Sequence, residues 1–332
     1  MTIKDAVLHA LGSSMGNFVS GEELAQRLSV SRNAVWRSVK ALQQEGYYIQ
    51  AVTHRGYCLS AKPDVLSAQS ISQYLPQELS FFDISIYKTI TSTNKVLKDM
   101  AEKGAAEGRV LVAEEQTAGK GRMNRAFYSP AGTGVYVSLL LRPRFSAADS
   151  LYVTTAAAVA VAEAIEAIAG RETKIKWVND VYCDGKKVCG ILTEAAFDME
   201  SSGLAYAVLG IGINVRPPER GFPEELRPIV TSVFDGGGYD TDTRNRLVAE
   251  VLSRFWGYYG TLTQKKFLKG YQDRSLLKGR DVYVIDGNEK ELARALEIDD
   301  QCRLHVRYAD GRDDYLSSGE VSVKPVQSVL SL

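Results

Sequence analysis

Cysteine and histidine are scarce in this chain: four cysteines, Cys58, Cys183, Cys189 and Cys302, and three histidines stand among 332 residues. No two cysteines form a C-x-x-C pair and no histidine is spaced to join them, which excludes a zinc site of the usual kind and a disulfide framework. The pattern is that of reduced cysteines in a cytoplasmic protein. Net charge is lacking too, since 40 lysines and arginines balance 40 aspartates and glutamates. The chain as a whole therefore has no field to gather nucleic acid or acidic membrane, and any such binding is local. Long uncharged apolar runs are also missing. Asp5 interrupts the stretch where a signal peptide needs apolar residues, and the most apolar stretch, residues 151–169, carries Glu163 and Glu166. Neither export nor a membrane span is expected.

What is present suits a folded protein with several cores: 45% hydrophobic and 24% charged residues, in a chain long enough for two or three domains. "TIKDAVLHAL" spaces apolar residues by three and four, and "SGEELAQRLSV" opens with Ser20 as N-cap and Glu23 three places on, a capping-box pattern. In "SRNAVWRSVKALQQEGY" Ser31 caps a third helix ended by Gly46. Ala34, Val35, Val39 and Leu42 form its inner face, while Arg32, Asn33, Arg37 and Lys40 point elsewhere. "YYIQAVTHRGYCLS" alternates and turns at Arg55-Gly56, as a two-stranded wing does. Three helices and a wing in this order resemble a winged helix-turn-helix, whose helix over residues 31–45 enters the major groove. Arg32 and Asn33 then sit where base edges are read, and Arg37, Lys40 and Arg55 where phosphates lie. The same residue types also suit a solvated helix face, and winged helices also serve protein contacts.

Further on, "FFDISIYKTITSTNKVLKDMAEKG" reads as a strand, a polar turn and a helix from about Asn94 to Gly104. Ser92, Thr93 and Asn94 stand at the helix start, where they either cap it or bind a small polar ligand. The apolar run "RVLVAEE" then leads into "QTAGKGRMNR", residues 116–125. This loop has neither the G-x-x-x-x-G-K-[ST] of a Walker loop nor the third glycine of a dinucleotide fingerprint. Gly119 and Gly121 alternate with Lys120 and Arg122, a spacing that lets backbone and cation approach an anion together. "GTGVYVSLLLRP" alternates as a strand, and "LYVTTAAAVAVAEAIEAIAG" is a small-residue-rich helix suited to packing on a sheet. "KIKWVND", "GKKVCGILTEA" and "LAYAVLGIGINV" follow.

Five motifs in this order, STN after a strand, Q-x-x-G-[RK]-G-R, K-W-x-N-D, G-x-K-x-x-G-I-L-x-E and G-I-G-I-N-V, resemble the biotin protein ligase family. With the winged front, the likeness to members that double as biotin operon repressors runs over essentially the full length. The resemblance implies a multidomain α/β (α+β) chain: a winged helix-turn-helix over residues 1–65, a class II synthetase-like ligase domain over 66–275 and an SH3-like β-barrel over 276–332. It implies an activity that joins biotin to ATP as biotinyl-5′-AMP, releases pyrophosphate, and passes biotin to a lysine of a biotin carboxyl carrier protein. Operator DNA and a second copy of the chain are the further implied partners, the homodimer forming when adenylate is bound.

Such chemistry brings a carboxylate to a polyanionic triphosphate, which requires preorganised positive charge at the α-phosphate. By the resemblance, Lys120, Gly121 and Arg122 close over biotin and phosphate, Gln116 contacts the ligand at the loop's entry, and Arg125 orders the loop. Lys187 is the principal catalytic cation, while Lys186 suits a solvated turn. Lys176, Asn179 and Asp180 match K-W-x-N-D, and Asp180 is either the Mg2+ ligand or a turn cap. Gly190, Gly210 and Gly212 allow close backbone approach to ligand or merely close strand packing. Asn214 meets nucleotide or magnesium, or else caps a strand end. Ser92, Thr93 and Asn94 hold biotin's ureido ring.

Two residues depart from the family pattern: Lys120 stands where arginine is usual, losing a planar two-point grip, and Val178 where proline is usual, leaving local rigidity in question. A purely regulatory biotin sensor and a lipoate-type ligase are the alternatives that share most of this pattern. The tail has a helix over "RNRLVAEVLSRFWGYY", a basic stretch "TQKKFLKGYQDRS", then short alternating strands with turns at Asp286-Gly287 and Asp310-Gly311. That last module is a structural cap or an aid to ATP or carrier docking.

Overall fold

In a computed structural model, the chain divides into two compact units, Met1–Val65 and Leu66–Leu332. The structure describes residues 2–14, 16–44, 47–52, 55–59, 64–143, 150–197, 204–286, 289–317 and 322–325.

The first unit has helices α1 (Ile3–Gly12), α2 (Gly21–Leu28) and α3 (Arg32–Gln44) and the wing strands β1 (Ile49–Val52) and β2 (Gly56–Leu59), paired antiparallel. Thr2 and Asp5 form a full capping box on α1, and the Ser20 side chain accepts from Glu23 N on α2. Ser31 accepts from Ala34 N. Val7, Leu11, Leu24, Val35, Val39 and Leu42 make the unit's core. Ser38, not Ala34, completes the buried face of α3. The expected stop at Gly46 lies outside the described residues.

The second unit is built on a mixed seven-stranded sheet. In chain order its elements are α4 (Ala68–Tyr74), β3 (Asp83–Tyr87), α5 (Thr93–Glu102), β4 (Arg109–Ala113), β5 (Gly134–Leu141), α6 (Ser150–Ala169), β6 (Lys174–Lys176), β7 (Asp180–Cys183), β8 (Lys186–Phe197), β9 (Leu204–Asn214), α7 (Thr243–Tyr259) and α8 (Leu268–Asp273). The sheet order is β3-β4-β5-β9-β8-β7-β6, parallel only between β3 and β4. Alternation along the strands divides the core. Val110, Val112, Val137, Leu139, Leu209 and Ile211 pack toward α6 and α7, whereas Leu111, Leu140 and Val208 pack with Leu97 and Ala101 of α5 on the other face. Fully buried aliphatic side chains of this kind each contribute roughly 1.5–3 kcal/mol. The long apolar α6 has the length and composition of a membrane span, but it is the core helix: Val153, Ala157, Ala160, Val161, Ala164 and Ile165 are all fully buried.

The C-terminal strands β10 (Asp281–Asp286), β11 (Glu289–Ile298), β12 (Leu304–Tyr308), β13 (Asp313–Leu316) and β14 (Ser322–Pro325) form an antiparallel sheet of order β13-β12-β11-β10-β14. Among the described residues no β13–β14 pairing closes it into the expected barrel. Gly311 turns between β12 and β13 with φ +89°, while Gly287 lies outside the described residues. Val282, Ala295, Leu304 and Val306 share the core of α6 and α7. Trp177 Nε1 donates to Cys302 O at 3.0 Å and Gln272 Nε2 to Ile298 O at 2.8 Å.

All four cysteines are buried. Burial pushes the thiols of Cys183 and Cys302 up to about 11, which suits inert packing rather than reactivity.

Candidate active site

Strand register lays out the site. Tyr87, Ala113, Tyr136, Gly212, Gly190, Asp180 and Lys176 are successive cross-strand partners in one row over all seven strands. Leu111, Ser138, Gly210 and Leu192 form the neighbouring row. Both rows face α5, because side chains two residues apart on a strand share a face. The three central glycines leave a trough that makes room for neighbouring side chains. A Cβ on Gly212 would lie 2.4 Å from the Phe127 ring, one on Gly190 3.1 Å from Lys187 Nζ, and one on Gly210 2.2 Å from Asn94 Oδ1. Close approach to side chains, rather than strand-to-strand packing, is what these positions demand.

One end of the trough is a closed polar network. Ser92 caps α5 by accepting from Lys95 N and also lines the cleft. Asn94 Nδ2 donates to Glu194 Oε2 at 2.9 Å and to Leu192 O at 3.3 Å, which turns Oδ1 toward Ser138 Oγ at 2.6 Å. Thr93 Oγ1 lies 2.7 Å from Ser138 Oγ and donates to Gln116 Oε1 at 3.1 Å. Gln116 Nε2 in turn donates to Ser129 Oγ at 3.1 Å. These bonds fix which atoms remain to meet a ligand.

The other end is cationic. Lys187 Nζ meets Asp180 Oδ1 at 2.6 Å, and that buried oxygen makes no hydrogen bond beyond the ion pair among the described residues. Arg122 Nη1 donates to Asn179 Oδ1 at 3.4 Å, and Asn179 Nδ2 donates to Ile191 O at 2.7 Å. Burial pulls the Arg122 guanidinium below its ordinary value, partly opposed by Asp180; an arginine tolerates that and stays charged. The loop that carries Arg122 folds back on itself, with Gly121 N donating to Arg125 O at 2.7 Å and Phe127 N to Gly119 O at 2.9 Å. Gly119 is required there, since a Cβ would lie 2.6 Å from Phe127 O; Gly121 has nothing closer than 3.6 Å. Lys120 and Arg125 are exposed at the rim. The Val178 carbonyl accepts from the buried Tyr271 hydroxyl at 2.9 Å, so this position is braced without proline.

The cleft brings together Ser92, Thr93, Asn94, Gln116, Lys120, Gly121, Arg122, Arg125, Lys176, Asn179, Asp180, Lys187, Gly190, Gly210 and Gly212. Asn214 is not among its walls: its Nδ2 donates to Thr231 O at 3.1 Å. Lys186 does more than face solvent, donating from Nζ to Arg227 O at 3.1 Å. Sequence reasoning passed over Ser138, Glu194 and Phe127. Ser138 had a signal, as the lone polar residue of "GVYVSLLL"; Glu194 sat inside a quoted motif without a role; Phe127 had none. On the first unit, Arg32, Asn33, Arg37, Lys40 and Arg55 are all exposed, together with Trp36. Arg32 pairs loosely with Glu22 at 3.5 Å, and Arg55 stacks on Phe18 at 4.2 Å.

Comparison with known proteins follows this division. Residues 86–214 match the biotin/lipoate A/B protein ligase family model and residues 4–58 a helix-turn-helix domain model. The bifunctional ligase/repressor BirA of Bacillus subtilis (strain 168) is 38% identical over 315 residues, covering 93% of this chain and 95% of that one. The chain belongs to the bifunctional ligase/repressor family. The Escherichia coli (strain K12) bifunctional ligase/repressor BirA is 26% identical over 94% of this ligase/repressor chain. Among solved structures, biotin protein ligase from Aquifex aeolicus in complex with biotin and ATP superposes with a TM-score of 0.63 at 29% identity, covering 74% of this chain and all of that one.

Proposed function

We propose that the chain is an ATP-dependent biotin protein ligase that forms biotinyl-5′-AMP and transfers biotin to a lysine of a biotin carboxyl carrier protein. The observation that carries this is a trough floored by Gly212, Gly190 and Gly210, with a hydrogen-bonding network at one end and Arg122 and Lys187 at the other. A ring that donates and accepts hydrogen bonds suits the Thr93, Asn94, Gln116 and Ser138 end. An apolar chain suits the glycine floor under Phe127, and the carboxylate then reaches the cations.

Lys187 stabilises charge on the oxygens exchanged between biotin's carboxylate and the α-phosphate, and Arg122 neutralises phosphate beside it. Asp180 holds Lys187 in place until substrate oxygens take over that ammonium. For Mg2+, no group of three His, Cys, Asp or Glu side chains exists among the described residues. One carboxylate is nevertheless enough for an ion that arrives on phosphate oxygens, and Asp180 Oδ1, buried and making no hydrogen bond beyond its ion pair with Lys187 among the described residues, fits that part. When bound, the ion offsets phosphate charge. Lys120, Arg125 and Lys176 supply further positive charge at the rim, and Gly121 lets the loop backbone approach the ligand. The SH3-like reading of residues 276–332 assigns that module to ATP or carrier docking, with 66–275 as the catalytic part, in a cytoplasmic protein.

Incubated with biotin, ATP and a biotin carboxyl carrier domain, the protein is expected to make that domain streptavidin-reactive and to release pyrophosphate. Lipoate in place of biotin is expected to label nothing. Lipoate labelling would replace the substrate assignment, and biotin binding with no transfer would leave a regulatory sensor.

Residues 1–65 make the same chain a biotin-responsive repressor, with Arg32 and Asn33 on base edges and Arg37, Lys40 and Arg55 on phosphates of operator DNA. Corepression requires that adenylate bind the homodimer more tightly than the monomer. Sedimentation velocity is expected to show a dimer favoured by biotin plus ATP. An association constant unchanged by those ligands contradicts this coupling.

A further inference from the structure

The last β8–β9 partner pair at this end of the sheet is Cys189 with Ile213, and beyond it β9 leaves the edge of β8. A different segment takes its place. Lys187 N donates to Ile229 O at 2.9 Å and Thr231 N to Lys187 O at 2.9 Å, so residues 229–231 run beside Lys187 as a short parallel strap. The strap flanks the backbone of the residue whose ammonium meets Asp180 at 2.6 Å.

The strap is pinned just past that contact. Asn214 Nδ2 donates to Thr231 O at 3.1 Å and Val233 N to Asn214 O at 2.8 Å. Arg171, which follows the end of α6, donates from Nη1 to Ser232 O at 3.1 Å and to Val233 O at 2.6 Å. Its Nη2 pairs with the Asp184 carboxylate in the turn that joins β7, which begins at Asp180, to β8. One guanidinium thus grips both the strap and the turn on either side of Lys187. A planar fork with several donors can serve two carbonyls and a carboxylate at once; an ammonium holds fewer of them in fixed directions.

We infer that Arg171 is a positioning residue for the first half-reaction, holding the 229–233 strap so that Lys187 keeps its ammonium at the reacting oxygens. Asn214 belongs to the same device, which explains its place outside the cleft. This deepens the proposed function and rests on it for its catalytic consequence, although the structural coupling stands alone. A displaced cation loses rate steeply, because charge stabilisation depends on placement to a fraction of an ångström. Among the described residues, the polar network at the ring end shares no hydrogen bond with Arg171.

The test compares wild type, Arg171→Lys and Arg171→Ala by two readouts, with Arg274→Ala as a control that removes a comparable arginine–carboxylate pair, Arg274–Glu166 at 2.6 Å. Hydrogen exchange followed by mass spectrometry reads the Lys187 and Thr231 amides whether or not the protein makes adenylate. Exchange of both is expected to rise about tenfold in Arg171→Ala and little in Arg274→Ala. Pyrophosphate release is expected to fall about 10- to 100-fold in kcat with the biotin KM within about twofold, Arg171→Lys lying between. Unchanged protection of the two amides in Arg171→Ala overturns the inference. So does an Arg274→Ala loss of rate equal to that of Arg171→Ala, since a general loss of stability would then account for both. Failure of the wild type itself to release pyrophosphate counts against the proposed function, and the exchange result still decides the strap.

Discussion

Replacing Lys187 by alanine is expected to slow biotin-dependent pyrophosphate release by about a thousandfold. The ammonium stands at the phosphate end, fixed at 2.6 Å from Asp180 and backed by two main-chain bonds to the strap. Preorganised charge of this kind contributes roughly 3–4 kcal/mol to a barrier when it faces developing negative charge. Its removal also breaks the ion pair of the buried Asp180 oxygen, so some loss of thermal stability accompanies the loss of rate. The two effects separate by half-reaction. Given chemically made biotinyl-5′-AMP, the variant is expected to label a carrier domain within about tenfold of wild type, because attack on an activated carbonyl no longer requires the carboxylate and triphosphate to meet. Pyrophosphate release near the wild-type rate would remove Lys187 from its assigned role.

Gly210→Ala is expected to weaken biotin binding about 100-fold and to cost about 3 kcal/mol of stability. The added Cβ would sit 2.2 Å from Asn94 Oδ1 and 2.9 Å from Asn94 Nδ2. Asn94 cannot yield freely. It is 6% exposed and tied to Glu194, Leu192 and Ser138, so displacing it strands several buried polar groups and dismantles the network that meets the ligand's ring. Calorimetric titration with biotin, alongside a thermal melt, checks both parts. Gly236→Ala is the control, because a Cβ there meets nothing within 4 Å.

Much of this site was legible in the sequence because its residue types are unusual for their surroundings. Paired glycines among cations, three polar residues at one helix start and a lysine three places before a glycine all stand out locally. What the sequence could not supply is register. That Gly212, Gly190 and Asp180 share a row depends on three strands pairing in one alignment out of several. Ser138 and Glu194 acquire a function only through that alignment. Asn214 reads from the sequence as a ligand group or a strand-end cap, and the partner its side chain meets in the fold, Thr231, is seventeen residues away across an irregular segment with no periodic signal. Arg171 was invisible for the same reason. The winged unit was readable almost residue by residue, since helix caps and apolar spacing are local. Its capping box on α1, Thr2 with Asp5, was nevertheless passed over. Closure of the C-terminal strands is a long-range property: alternation and turns predict a barrel-like module, while the antiparallel sheet is the part that local patterning carries.

The central claim is that the glycine-floored trough with cations at one end takes up biotin. Titrating the wild-type protein with biotin in a calorimeter tests it most directly, with lipoate as the parallel titrant. The account predicts one binding event per chain for biotin and none of comparable affinity for lipoate. No heat with biotin, whether or not ATP and Mg2+ are present, would contradict it.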